Sequence, residues 1–281
     1  MTREPALSSA PAPFRTRGAL EIAFHRKRGA DRLSRLSQAA PLRALFPAPG
    51  AGEPPIAALT STSGGVVGGD ELRFSLCVED GAKATFLGQA AEKIYRSADA
   101  DAVMDVSVSA GCGAWAEYLP QETILFDGAR LKRKTCLNIA SGGSILAAEM
   151  LAFGRSARGE VFTNGLLREA REIRRDGHLI WADTMLLEDD IALLMQERAC
   201  FNGAAFCASL ILASDDSDRH LELARARLDE SGAVTLVNGV LLARWLTNDF
   251  VAMRKNVAML WRSLRSAAAG LPAETPRLWA I

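Results

Sequence analysis

The chain has 281 residues, 49% of them hydrophobic, and can bury a large core without disulfides. Its 33 Lys and Arg balance 33 Asp and Glu, which excludes the positive excess that binds nucleic acid. The five cysteines, an odd number with no CxxC pair, fit neither a disulfide framework nor a structural zinc site. No signal-like segment opens the chain, and the most apolar run, residues 204–213, is too short to span a bilayer. We therefore expect a cytoplasmic protein with no membrane partner.

The first predicted segment is a loose tail over residues 1 to about 17, where three prolines stand among small residues. Alternating apolar residues then predict strands around residues 20–24, 72–78 and 131–139. The Pro- and Gly-rich run at 47–55 predicts an exposed loop between strands. We interpret residues 18–281 as one domain that is mostly β up to about residue 246.

Short turns rich in small residues recur along the β region. The turns at Gly81, Gly113 and Gly143 each lie between two predicted strands, at intervals of roughly 30 residues. Because a strand-turn-strand unit cannot bury its apolar face alone, successive units should stack. The fold class predicted is therefore mainly β, with a β-helical or layered β-sandwich-like body.

The C-terminal part changes to a helical period. Capping oxygens at residues 247–249 and the stop signals Gly270 and Pro272 predict an amphipathic helix over about 249–269, followed by an apolar tail. Two interpretations of its apolar face remain open: it covers the chain's own sheet, or it docks a partner. Docking would use the apolar residues of the helix and tail, namely Phe250, Met253, Trp261, Leu264 and Trp279.

Little in the sequence indicates catalysis. The Gly-rich run GGVVGGD, residues 64–70, precedes a predicted strand and lacks the Gly-Lys-Ser/Thr ending of a phosphate loop. The three histidines, His25, His178 and His220, have no metal-pair spacing. One enzymatic alternative remains: a β-helical carbohydrate hydrolase could use a carboxylate pair from Glu117, Glu122 and Asp127.

Seven segments together resemble the urease accessory protein family UreD, called UreH in some systems. In chain order they are GGVVGGDEL, QAAEKIYRS, AEYLPQETILFDGARLKR, AEMLAFGRSARGEVF, RDGHLIWADTMLL, GVLLARWL and MLWRSLRSAAAGLPAETPRLWAI. The resemblance covers about residues 20 to 281. It implies a non-catalytic maturation chaperone that binds UreF, through UreF the GTPase UreG, and the urease apoprotein, so that nickel enters the active site.

The resemblance also implies that nickel passes through the protein transiently and that no cofactor is tightly bound. Buried acids suit such transit, because oxygen ligands exchange readily whereas a Cys/His cage would trap the ion. The candidate acids are Asp70, Glu149 and Asp183. Glu149 lies in the apolar run ILAAEMLAF, so we expect either a salt-bridge partner or a water-filled cavity beside it. The alternative is that each acid is paired with an arginine for structure alone.

Overall fold

The computed structural model describes residues 15–279. Within them the first nine strands are β1 (Arg17–Lys27), β2 (Ala30–Ala39), β3 (Leu42–Leu45), β4 (Ile56–Ser61), β5 (Glu71–Val78), β6 (Lys83–Gly88), β7 (Glu92–Ile94), β8 (Ala102–Ala110) and β9 (Trp115–Leu119). The others are β10 (Thr123–Leu125), β11 (Arg130–Ile139), β12 (Ser144–Phe153), β13 (Leu166–Arg175), β14 (His178–Leu187), β15 (Phe206–Ala213), β16 (Gly232–Val237) and β17 (Val240–Thr247). The α-helices are α1 (Ile191–Gln196), α2 (Leu221–Arg225) and α3 (Phe250–Ala269). The protein is thus mainly β with a C-terminal helix, as predicted.

The strands form two large sheets. The first has seven strands in the order β14-β13-β11-β8-β5-β1-β2, and the second has ten strands, eight of them in the order β16-β17-β15-β12-β9-β6-β4-β3. The central neighbours in both sheets are parallel, and the strands added at their ends are antiparallel. The short strands β7 and β10 pair with each other, and β10 also pairs with β12.

The chain therefore winds as a solenoid from sheet to sheet, and the predicted stacking of strand-turn-strand units is confirmed. The backbone N–H of Gly81 donates to the carbonyl of Cys112 on the next turn, at 2.8 Å. The third predicted turn shifts by one residue, since the left-handed φ lies at Gly142 rather than Gly143. Gly143 is required for another reason: a Cβ there would lie 2.5 Å from the carbonyl oxygen of Gly111.

The ten-stranded sheet is covered on both faces. In β12, alternate residues such as Ile145 and Leu151 face the seven-stranded sheet, while Leu146 and Met150 belong to a second core beneath α3. A strand buried on both faces reads as a continuous apolar run, which explains the sequence ILAAEMLAF. The molecule consequently has three layers: sheet, sheet and helix.

Helix α3 has the limits and caps that the sequence predicts. The Asp249 carboxylate accepts a hydrogen bond from the Ala252 N–H at 2.9 Å, and Gly270 ends the helix with a φ of +63°. No helix between residues 15 and 279 combines the length and apolar character needed to cross a membrane.

The apolar face of α3 covers the chain's own sheet, so the docking interpretation of that face is corrected. Met253, Trp261 and Leu264 are fully buried, and Trp279 is only 2% exposed. Phe250 is partly buried and packs its ring 5.3 Å from that of Phe206. Met253, Trp261 and Leu264 therefore belong to the core and present no surface to a partner, whereas Phe250 and Trp279 also line a groove beside the helix.

Residues 1–14 of the predicted tail lie outside the described residues. Its last predicted residue, Arg17, is the first residue of β1. The predicted loop at 47–55 contains no strand, but it is not merely exposed. Glu53 reaches inward and accepts hydrogen bonds from both terminal nitrogens of Arg265, at 2.8 and 2.6 Å. The loop is therefore fixed to the helix by an ion pair.

Arg265 also binds Glu117, which the fold buries completely beneath α3. The Arg265 Nε donates to Glu117 Oε1 at 2.9 Å, and the hydroxyl of Thr85 donates to Glu117 Oε2 at 2.7 Å. The indole N–H of Trp115 supplies a further hydrogen bond at 3.0 Å. Glu117 thus joins the helix to two neighbouring strands.

Replacing Glu117 by Ala should destabilise the protein strongly, because it leaves the buried Arg265 with a single carboxylate partner. We expect a loss of about 3–5 kcal/mol in the free energy of unfolding, the cost of breaking a buried ion pair. Urea denaturation followed by circular dichroism measures it. Glu21→Ala, which removes the exposed partner of Arg35, is the control and should shift the urea midpoint far less. Equal shifts would contradict a structural role for Glu117.

Candidate functional site

Four charged side chains lie between the two sheets, and we call them the buried ion-pair array: Arg133, Glu149, Glu169 and Arg171. Arg133 and Glu169 occupy paired positions on the parallel strands β11 and β13, with Arg171 one step further along the same inward face. Glu149 projects toward them from β12 of the opposite sheet. Arg133 and Glu169 are 4% and 0% exposed, so their charges must be satisfied within the protein.

Arg133 donates hydrogen bonds to Glu169 and to Thr123. Its Nε donates to both carboxylate oxygens of Glu169, at 2.8 and 3.0 Å, and its Nη1 donates to the hydroxyl of Thr123 at 2.8 Å. The Nη2 atom lies 2.7 Å from Glu169 Oε2, but its orientation makes no hydrogen bond. Burial works to lower the pKa of Arg133, yet Glu169 and Glu149 outweigh it and raise that pKa. The guanidinium therefore stays charged.

Glu149 lies between the two arginines of the array. Its Oε2 accepts from Arg171 Nε at 2.7 Å, its Oε1 accepts from the hydroxyl of Thr135 at 3.1 Å, and Arg133 Nε is 3.9 Å away. Burial alone would raise the pKa of Glu149, but Arg133 and Arg171 reverse the shift and hold that pKa below its ordinary value. Glu149 is thus an ionised carboxylate with arginine partners. A salt-bridge partner is one of the two environments that the sequence predicts for it.

The other predicted environment, a cavity, is present as well. A cleft of about 600 Å³, here called the main cleft, is lined by Glu149, Arg171 and Asp183. Asp183 accepts from Arg244 Nη2 at 2.8 Å and lies 3.7 Å from Arg171 Nη1. Cys207 lines the same cleft, but burial raises the pKa of its thiol to about 12, so it stays protonated and ligates poorly.

A smaller opening of about 200 Å³, the second cleft, meets the array from the other end. Its lining includes Arg133, Thr123, Tyr118 and Glu92. Burial raises the pKa of Glu92 to about 7, although the charge of Arg133 acts against the shift. Burial also raises the pKa of Tyr118, so its phenol stays neutral. Glu92 is therefore a carboxyl group whose charge changes near neutral pH.

The array consequently stands between two clefts, with Arg133 facing one and Glu149 and Arg171 facing the other. Acids and guanidinium groups alternate through it, which offers exchangeable oxygen atoms without an excess of negative charge. Between residues 15 and 279 no three His, Cys, Asp or Glu side chains converge to hold a metal ion. The array could contact a cation transiently through single carboxylate oxygens, but it does not supply a complete set of metal ligands.

The three candidate acids do not form one site. Glu149 and Asp183 are both in contact with Arg171 and share the main cleft. Asp70 lines neither cleft. Its two carboxylate oxygens accept from the backbone N–H groups of Thr16 and Val67, at 3.1 and 3.0 Å, so Asp70 orders the Gly-rich loop before β5.

The acids of the hydrolase alternative are held apart by different partners. Glu117 is buried against Arg265, Glu122 accepts from Arg254 at 3.0 Å, and Asp127 accepts from the N–H groups of Thr163 and Asn164. Burial works to raise the pKa of Asp127, but the hydrogen bonds from residues 163–164 lower it. A glycosidase needs a carboxyl group with a raised pKa as its acid, so Asp127 does not suit that role.

Sequence reasoning found Glu149 and missed Arg133, Glu169 and Arg171. A signal for them exists in the sequence. Arg133 occupies one of the alternate positions of β11 that are otherwise apolar and buried, or carry the buried Thr135. Glu169 and Arg171 do the same in β13. Charged residues of opposite sign in the inward phase of neighbouring strands indicate a buried array rather than a wet face.

Comparisons with known proteins agree on one family. The family model described as UreD urease accessory protein matches residues 16–280. A urease accessory protein UreD of Magnetococcus marinus is 39% identical over 94% of this chain and 94% of its own length. UreD of Granulibacter bethesdensis is 39% identical over 84% of this chain and 99% of its own, and UreD 1 of Methylobacterium radiotolerans is 38% identical over 97% and 95%.

Replacing Glu92 by Gln should stabilise the protein at high pH and not at low pH. Because the folded-state pKa of Glu92 is raised, its ionisation opposes folding as pH rises from its ordinary 4.5 through about 7. The gain in urea midpoint over wild type should therefore be small near pH 5 and larger near pH 8.

Glu160→Gln is the control with the opposite sign. The hydrogen bond from Arg155 lowers the pKa of Glu160, so its carboxylate stabilises the fold above the ordinary pKa. Its removal should lower the urea midpoint near pH 8 and matter less as pH falls below 4.5. A Glu92→Gln gain that is independent of pH would exclude titration of Glu92 as its cause.

Proposed function

Because this chain belongs to the UreD urease accessory protein family, we propose that it is a scaffold and chaperone in nickel insertion into urease. In this proposal it assembles with UreF, and through UreF with the GTPase UreG, and presents them to the urease apoprotein in the cytoplasm. The observation that carries the proposal is the family match over residues 16–280, which spans both sheets and the helix.

In this proposal the nickel ion is cargo that passes along the two clefts. Glu149 and Asp183 line the main cleft, and Glu92 and Arg133 line the second cleft. A divalent cation that reaches Glu149 must compete with the guanidinium of Arg171 for the carboxylate oxygens. That competition keeps the ion weakly bound, and weak binding is what onward delivery requires.

The proposal assigns no bond-making chemistry to this chain. GTP hydrolysis would belong to UreG, and the Gly-rich run here leads directly into β5 instead of into a helix whose N-terminal amides could bind phosphates. The relatives are accessory proteins by their names, which supports a non-enzymatic role. The hydrolase alternative is not favoured, because its acids are engaged by separate structural partners.

A purely structural use of the acids is the remaining competitor. Arginines do stand beside Glu149 and Asp183, as that alternative requires, whereas Asp70 accepts from backbone N–H groups. The difference lies in access: Glu149 and Asp183 line a cleft of about 600 Å³, whereas a carboxylate kept for structure alone needs no opening.

Coexpression should give a stable complex between this chain and UreF. We expect both proteins to copurify by affinity and size-exclusion chromatography, and we expect the isolated chain to turn over no substrate. Absence of copurification at equal expression of both proteins would contradict the scaffold role.

Glu149→Gln should impair urease activation by more than its loss of stability explains. Because the change removes the nearest carboxylate from the buried Arg171, urea denaturation of the variant is measured alongside. Gln keeps the shape of the side chain and a hydrogen-bonding oxygen but removes the charge that a cation needs, so we expect activation to fall on the order of tenfold. Urease activity and nickel content of the urease produced in coexpressing cells are the measurements.

Glu172→Gln is the matched control, since Glu172 follows Arg171 on β13 but pairs with Lys134 and Arg174 instead of with the array. It should leave activation unchanged. Full activation by both variants would show that the acids of the array serve structure only.

A further inference from the structure

The face of α3 that points away from the sheet borders a groove of about 760 Å³, here called the helix groove. Six helix residues line it, Phe250 and Arg254 among them. The other four are Val251, Lys255, Ala258 and Arg262. Their steps of four, three and four residues place them on one helix face. Leu278 and Trp279, from the segment after the helix, form part of the opposite wall.

The wall of the groove is fixed in place before any partner binds. The indole N–H of Trp279 donates to the carbonyl of Leu119 at 3.2 Å, and the Arg254 guanidinium stacks over its ring at 4.8 Å. Arg254 is itself held by Glu122 at 3.0 Å. A groove of this kind can accept a segment without rearranging its walls.

Positive charge in the groove is not balanced by carboxylates of the part of the chain that the structure describes. Within residues 15–279, Glu122 pairs with Arg254, while Lys255 and Arg262 have no carboxylate within 4.0 Å. Val251, which is 60% exposed, adds an apolar surface beside these two cations. The groove therefore combines uncompensated positive charge with an exposed aliphatic side chain, a combination typical of a protein-binding surface.

We propose that the helix groove is a docking site for an acidic, partly apolar segment of a partner protein. This inference rests on the proposed function, which supplies the partners to be tested. Carboxylates of the segment would pair with Lys255 and Arg262, and its apolar side chains would cover Val251 and Ala258. This surface lies away from the buried Met253, Trp261 and Leu264, while Phe250 and Trp279, which the sequence also offered for docking, line its edge.

The test measures binding of purified UreF and of urease apoprotein to the full chain, at low and high salt. The double variant Lys255→Glu and Arg262→Glu should weaken binding of one of these partners at least about tenfold at low salt. The wild-type affinity for that partner should fall as salt rises, since exposed charges are screened. Val251→Asp, an acid in the first helical turn that does not oppose helix formation, should weaken the same interaction.

Arg73→Glu with Arg168→Glu is the matched control. Both arginines are exposed on the seven-stranded sheet, on β5 and β13, and the double variant changes the net charge equally. It should bind like wild type. If Lys255→Glu with Arg262→Glu also binds both partners like wild type, the proposal is overturned.

Two other occupants are separate outcomes that would overturn the proposal. Self-association that the Lys255 and Arg262 variants abolish, seen by sedimentation, would assign the groove to a second copy. In the other outcome, deletion of residues 1–14 raises the affinity for UreF or apo-urease, and the Lys255 and Arg262 variants affect binding only while those residues are present. That result would assign the helix groove to the N-terminal segment of this chain. If wild-type chain binds neither UreF nor apo-urease, it is the proposed function that fails.

Discussion

Charge neutrality inside the sandwich is the constraint on which the structure depends. Arg133, Glu149, Glu169 and Arg171 are buried where an unpaired charge would cost several kcal/mol, so each must find its partner within the protein. Those partners come from three strands and both sheets. The array can form only when the solenoid turns stack in register, because a slip by one residue turns each of these side chains to the opposite face.

The ten-stranded sheet carries a second ionic group on its other face, and the comparison separates structure from function. Glu117 beneath α3 has its oxygens occupied by Thr85, Trp115 and Arg265, and it lines none of the clefts described above. Glu149 is equally buried and equally paired, but it borders the main cleft. Buried ion pairs of the same kind are thus closed off from these clefts in one layer and border a cleft in the other.

Periodicity could predict the strands, the stacked turns and helix α3, because each follows from burial on one face and from local stop signals such as Asp249 and Gly270. It could not predict the array. The alternating positions of β11 include Arg133 and Thr135, which in sequence indicate a solvent-exposed face. Only the position of the opposite sheet shows that this face is buried. Sequence alone left the role of the helix face open for a related reason. Met253 and Trp261 are apolar because they cover the sheet, and the charged residues of the groove, Lys255 and Arg262, look in sequence like an ordinary solvated face.

Under the proposed function, the arginines of the array let the same carboxylate serve a stable fold and a passing cation. Burial by itself raises the pKa of Glu149 and so favours the uncharged form. With Arg133 and Arg171 beside it, the pKa of Glu149 is held low and the carboxylate is already ionised. The guanidinium groups also limit how tightly a divalent ion can be held, since the ion must displace Arg171 from oxygens that lie 2.7 Å away. One set of ion pairs therefore keeps the carboxylate charged, keeps the two sheets in register and keeps any bound cation exchangeable.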